Sequence, residues 1–87
     1  MKTDQIEQQT LSAITDFTSK LPAEQLQDMR SLVIAGEPGV ALENLCTQIY
    51  EYDVEVAPEV LAKISEVGRA MGLDSKYWDR IARADST

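Results

Sequence analysis

The chain has 87 residues, of which 44% are hydrophobic and 26% are charged, a composition typical of one small folded domain. Its formal net charge of −7 argues against binding to nucleic acid or to an anionic membrane surface. The chain contains no histidine. A domain of this size has little room for a deep substrate cavity. We therefore expect a binding surface and no enzymatic activity, in a single helical domain over residues 1–87 whose ends fray at 1–3 and 84–87.

The apolar periodicity predicts an all-α fold, a compact bundle of about five short amphipathic helices. The predicted helices span about 4–18, 22–35, 38–50, 58–71 and 75–83. Pro22 suits the first turn of the second helix, and Gly36 suits a left-handed cap at its end. Between the third and fourth helices, Val54 and Val56 predict a short extended loop with both valines on one side.

The last two helices carry specific packing and capping expectations. Gly68 lies in mid-helix, where glycine is unfavourable, and we interpret it as allowing close approach of another helix. Asp74 is a good N-cap for the last helix, and Trp78 is expected to close one end of the core. Basic side chains favour the later turns of that helix, where the dipole is negative: Lys76, Arg80 and Arg83.

The N-terminus has no apolar stretch of the kind found in secretion signals, and no apolar run approaches the ~18 residues of a membrane span. Cys46 is the one cysteine and cannot form an internal disulfide. These features predict a cytoplasmic protein in which Cys46 is a small core side chain. We separately expect the protein to be a monomer in its free state.

The middle of the sequence is rich in acidic residues and contains no basic residue. No lysine or arginine occurs between Arg30 and Lys63, whereas six of the fifteen acidic residues do. They are Glu37, Glu43, Glu51, Asp53, Glu55 and Glu59. Tyr50 and Tyr52 lie among them. Because tyrosine supplies contact area and carboxylates accept charge-assisted hydrogen bonds from arginine and lysine, this stretch predicts a surface for a basic partner. The alternative is a solvated acidic face that keeps the protein soluble.

No catalytic, metal or cofactor site is predicted. A calcium loop needs regularly spaced oxygen ligands and a glycine, and the segment YDVEVAPEV has neither. The absence of histidine removes the commonest zinc ligand, and one cysteine cannot make a thiolate site. Ser75 follows Asp74 at a helix start, as the modified serine of small acyl carrier proteins does, but only twelve residues follow it. A plain helix start is the favoured interpretation, and a carrier protein stays the weaker alternative.

Two stretches, AGEPGVALENLCTQIYEYDVEV and MGLDSKYW, resemble small cytoplasmic immunity proteins of bacterial competition systems, the MafI-like and contact-dependent-inhibition immunity families. The resemblance covers roughly residues 26–81. It implies a protein that binds a toxin domain delivered by a neighbouring cell, often a nuclease, and blocks it. The matching positions are Gly36 and Glu37 at a corner, Ala41, Leu42, Leu45 and Cys46 as scaffold, and Glu43, Tyr50 and Glu51 as candidate contacts.

Charge and resemblance together predict one partner-binding surface on an immunity protein, with a basic nuclease domain as the expected partner. An acidic adaptor or regulatory module that binds another basic protein is the main alternative. The candidate contact residues are Glu37, Glu43, Tyr50, Glu51, Tyr52, Asp53, Glu55 and Glu59.

Overall fold

Five α-helices form in residues 1–85, which are the part of the chain described by the structure, a computed structural model whose side chains are described as far as Ala82. They are α1 (Thr3–Thr15), α2 (Ala23–Ile34), α3 (Pro38–Glu51), α4 (Pro58–Ala70) and α5 (Lys76–Asp85). The predicted all-α bundle is confirmed. Of the ends expected to fray, Thr3 already belongs to α1 and residues 84–85 belong to α5, while 86–87 lie outside the described residues.

The link between α1 and α2 is longer than predicted because α1 ends at Thr15. Tight turns replace its expected last residues: the Phe17 N–H donates to the Ile14 carbonyl at 3.1 Å, and the Leu21 N–H donates to the Phe17 carbonyl at 3.1 Å. These turns let both Phe17 and Leu21 point into the core. Pro22 then serves as the N-cap of α2, one position before the first turn.

α3 is the central helix, since it packs against each of the other four. Its apolar stripe was predicted from the spacing of four residues, and all four are at most 1% exposed: Leu42, Leu45, Cys46 and Ile49. α1 packs against α2, α3 and α4, while α5 packs against α3 and α4. The valines of the α3–α4 link, predicted to lie on one side, are both withdrawn from solvent relative to the exposed Glu55 between them: Val56 is buried and Val54 half-buried.

The start of α5 agrees with one expectation and corrects another. The Asp74 side chain accepts a hydrogen bond from the Lys76 N–H at 2.9 Å, so Asp74 caps the helix as predicted. Lys76 is the first residue of α5, and its expected place in the later turns is therefore wrong. The Arg83 side chain lies outside the described residues.

Gly68 allows α5 to reach α4. The Trp78 ring is 3% exposed, and a Cβ built on Gly68 would lie 2.3 Å from the ring atom Cζ3. A side chain of any size at position 68 would therefore overlap a rigid ring that is held in the core. The predicted close helix approach at Gly68 is confirmed, and Trp78 is the group that makes it.

We expect Gly68→Ala to destabilise the protein, although alanine is the better helix former. Overpacking costs about 1–3 kcal/mol, which outweighs a propensity gain of at most about 1 kcal/mol. The matched control is Gly39→Ala in α3, where the added Cβ would lie 3.6 Å from the nearest side-chain atom, an ordinary contact. Thermal unfolding should show a melting temperature lowered by several degrees in the first variant and not in the second. Equal effects would show that the contact with Trp78 is not tight.

Candidate partner-binding surface

The structure distributes the predicted contact residues along α3. Glu37 precedes the helix, Glu43 lies near its middle, and Tyr50 lies in its last turn. α3 has 14 residues and is therefore about 21 Å long. Glu37, at its N-terminal end, is separated by this length from the tyrosines and carboxylates at its C-terminal end. The residues 51–59, from the end of α3 into α4, are here called the acidic segment. Its four carboxylates are all exposed: Glu51, Asp53, Glu55 and Glu59.

The two tyrosines at the end of α3 lie on opposite sides of it, because residues two apart on a helix point about 200° apart. Tyr50 is 46% exposed and Tyr52 is 52% exposed. The Arg80 guanidinium of α5 stacks over the Tyr50 ring, 4.3 Å from its centroid. On the other side, Gln25 of α2 donates to the Tyr52 hydroxyl at 3.4 Å. The two rings frame the helix end and do not form one aromatic face.

α5 occupies the side of α3 on which Glu43 lies. Glu43 is half-buried there, unlike the other predicted contact residues. Burial raises the pKa of the Cys46 thiol to about 12; the positive charge of Arg80 opposes this rise and the negative charge of Glu43 adds to it. Both charges therefore lie close to Cys46. Along the chain Glu43 has no neighbouring base. Because it is half-buried, it exposes less of its carboxylate than the sequence predicts.

A second base approaches the acidic segment from the α1–α2 link. Lys20 Nζ lies 3.4 Å from the Glu55 carbonyl oxygen and leaves the Glu55 carboxylate exposed. Among the described side chains the ion pair formed is Lys63 with Asp16, at 2.7 Å, and it lies outside the segment. The carboxylates of the acidic segment therefore make no salt bridge with a described base. Sequence reasoning missed Arg80 and Lys20 because both come from parts of the chain far from the stretch that they border.

Stability of the fold does not explain two of these carboxylates. Glu51 is the last residue of α3, where the helix dipole is negative and a basic side chain would be favourable. Asp53 has a φ of +53°, in the left-handed position that closes a Schellman motif. The Val54 N–H donates to the Ile49 carbonyl at 3.0 Å. At the equivalent positions of α2 and α4 the chain has Gly36 and Gly72, which adopt this conformation without strain.

Two other carboxylates among the predicted contact residues lie near helix ends and have a structural explanation. Glu59 lies in the first turn of α4 and Glu37 is the N-cap residue of α3, so each faces the positive end of a helix dipole. Glu51 and Asp53 are thus the carboxylates whose presence most needs a reason other than folding. Both lie beside Tyr50 and Tyr52.

A pocket of about 380 Å³ opens between α3 and α5. It is lined by Thr47 of α3 and by Lys76, Tyr77 and Arg80 of α5, and is here called the cationic pocket. Lys76 and Arg80 are four residues apart and therefore share one side of α5. Their spacing was visible in the sequence, but nothing in it indicated that this side of α5 would meet α3.

Comparison of the chain with protein-family models, curated proteins and solved structures gave no match. Within the described part of the chain, no group of three or more cysteine, aspartate and glutamate side chains is arranged to hold a metal ion. No helix in residues 1–85 has both the length and the apolar character needed to cross a membrane. The geometry of the acidic segment and the residues that surround it are therefore the features that bear on function.

Replacement of Asp53 tests whether its carboxylate is kept at the expense of stability. We expect Asp53→Gly to leave the free energy of unfolding unchanged or to raise it by up to about 1 kcal/mol, because glycine removes the left-handed strain but adds chain entropy to the unfolded state. Asp53→Ala should lower it by about 1 kcal/mol, since alanine lacks the short polar side chain that makes the left-handed conformation tolerable for aspartate. Urea denaturation measures both. A clear loss of stability in the glycine variant would mean that the carboxylate supports the fold.

Proposed function

We propose that this protein is an immunity protein, which binds a cognate toxin domain and neutralises it by direct contact through the acidic segment. The favoured partner is a basic nuclease domain, and the place of action is the cytoplasm of the cell that makes the protein. The resemblance of residues 26–81 to small immunity proteins of bacterial competition systems supports this proposal. So does the exposed, unpaired state of the segment's carboxylates among the described residues.

One observation carries the proposal: carboxylates occupy two positions where folding favours something else. Glu51 faces the negative end of the α3 dipole and Asp53 has a positive φ. Residues that conflict with local stability are characteristic of functional sites. A face whose only role was solubility would gain as much from carboxylates placed at helix N-termini, where they also stabilise the fold.

The chemistry of the partner follows from the segment's charge and its rings. Nuclease domains present basic surfaces to phosphate, and a surface of opposite charge accelerates the encounter and excludes the nucleic acid. A specific interface takes about 800 Å² from each partner, an area comparable to the largest face of this molecule, whose extents are 35 × 26 × 18 Å. Such an interface would cover the acidic segment and the half-exposed rings of Tyr50 and Tyr52 together.

Growth of co-expressing bacteria tests the proposed function directly. The toxin domain encoded beside this gene is expressed with the protein and without it. Growth should stop when the domain is expressed alone and recover when the protein is present. Co-purification of the two chains as a complex should accompany the recovery. If the protein neither restores growth nor binds the domain, the assignment as its immunity protein is wrong.

Glu51→Lys separates binding from folding. Lysine at the end of α3 complements the helix dipole, so the variant should be as stable as the native protein or slightly more stable. Its association with the toxin domain should nevertheless slow by about 3- to 10-fold at low salt, with less effect at high salt. Stopped-flow measurements give the association rates at low and at high salt. Glu66→Lys, the same change at an exposed position of α4, is the matched control and should leave association nearly unchanged. Equal, salt-insensitive rates for all three proteins would rule out electrostatic steering by this segment.

A further inference from the structure

The cationic pocket places two positive charges together in a protein of net charge −7. Lys76 and Arg80 line it from the same side of α5, with Tyr77 beside them and Thr47 opposite on α3. Like charges four residues apart on a helix repel one another. Among the described side chains neither of them forms a salt bridge. The pocket therefore holds positive charge that no described carboxylate neutralises by direct contact.

Arg80 is held in a defined orientation and keeps unused donors. Its guanidinium carbon lies 4.3 Å from the centroid of the Tyr50 ring, a cation–π contact that does not consume the N–H donors of the group. The Nε atom is buried and has no hydrogen-bond partner among the described residues. A buried donor without a partner is costly.

We propose that the cationic pocket binds one carboxylate side chain of the protein partner, an aspartate or a glutamate. A planar carboxylate matches the two parallel donors at the edge of a guanidinium, and Lys76 adds a second positive charge at the mouth of the same pocket. The identity of the partner in this inference rests on the proposed function, whereas the affinity of the pocket for a carboxylate does not.

The surrounding charges favour a carboxylate over a phosphate group. Glu43 lies one helical turn before the pocket residue Thr47 on α3, and Glu51 is exposed one residue beyond Tyr50. An anion that enters meets this negative charge, and a phosphate monoester with nearly two charges meets roughly twice the repulsion of a carboxylate with one. The pocket also offers an aromatic wall, which suits the aliphatic stem of an acidic side chain.

Titration of the ¹⁵N-labelled protein with sodium acetate tests the pocket without a partner. At constant sodium concentration and pH 7, acetate should shift the Arg80 Nε–Hε signal and the amide signals of Thr47 and Tyr77. The shift should saturate with a dissociation constant on the order of 10 mM, as befits so small a ligand. Sodium chloride should give no saturable shift, and sodium phosphate a weaker one. Tighter binding of phosphate, or the absence of a saturable acetate shift, would overturn the proposal.

Three variants assign the effect to the pocket. Arg80→Gln should abolish the acetate shift at Thr47 and Tyr77, and Lys76→Gln should weaken binding at least threefold. Lys76 is exposed, so its variant should fold even if loss of the Arg80 stack destabilises the first one. Arg69→Gln, which removes an exposed charge from α4, is the matched control and should bind acetate as the native protein does. Loss of binding in the control, or unchanged binding in Lys76→Gln, would contradict the assignment.

Two variants, Lys76→Gln and the Glu51→Lys variant introduced above, test whether the pocket contacts the partner. Lys76→Gln should speed dissociation from the toxin domain by about fivefold, whereas Glu51→Lys should act on association. If Glu51→Lys slows association and Lys76→Gln changes nothing, the pocket does not contact the partner, and the proposed function stands. If acetate binds in the pocket but the toxin domain does not bind the protein, the proposed function fails and the pocket's affinity for carboxylates stands.

Discussion

The burial of α3 is the constraint on which the other features of this molecule depend. Its apolar stripe, including Leu42, Leu45 and Ile49, is almost fully removed from water, and α3 contacts all four other helices. Because the buried side of α3 is fixed, the neighbours of its remaining sides are fixed as well. α5 covers the side with Glu43 and Thr47, α2 reaches the side with Tyr52, and the C-terminal end projects the acidic segment into solvent. The positions of the charges that we interpret functionally are thus consequences of core packing.

Local stability and surface charge conflict at the C-terminal end of this helix. A fold optimised for stability would place a basic residue at Glu51 and a glycine at Asp53, and the chain follows the second rule at Gly36 and Gly72. Small domains are only marginally stable, so each unfavourable residue lowers the free energy of unfolding by a noticeable fraction. The contrast with Glu59, which stabilises the start of α4, separates carboxylates that the fold explains from those that it does not.

The sequence was sufficient for the helices and insufficient for the contacts between them. The 3.6-residue spacing of apolar side chains predicted all five helices and the buried side of α3, and Gly68 correctly indicated a close helix approach. The stacking of Arg80 over Tyr50 and the approach of Lys20 to Glu55 could not be predicted, because periodicity fixes which side of a helix is buried but not which neighbour lies along each flank. For the same reason the acidic stretch looked more uniform in the sequence than it is in space, where Glu43 is half-buried and the other carboxylates are exposed.

A surface of mixed sign gives an inhibitor something that a purely acidic one lacks. Long-range attraction between the acidic segment and a basic partner accelerates encounters but discriminates poorly, since any basic protein responds to the same field. A single cationic pocket beside it adds a short-range requirement: a partner without a correctly placed carboxylate would leave Lys76 and Arg80 desolvated and unpaired, which is costly. Long-range attraction then determines the association rate, and the pocket determines which complexes dissociate slowly. This division would suit the proposed immunity function, which requires the protein to ignore the many basic proteins of its own cell.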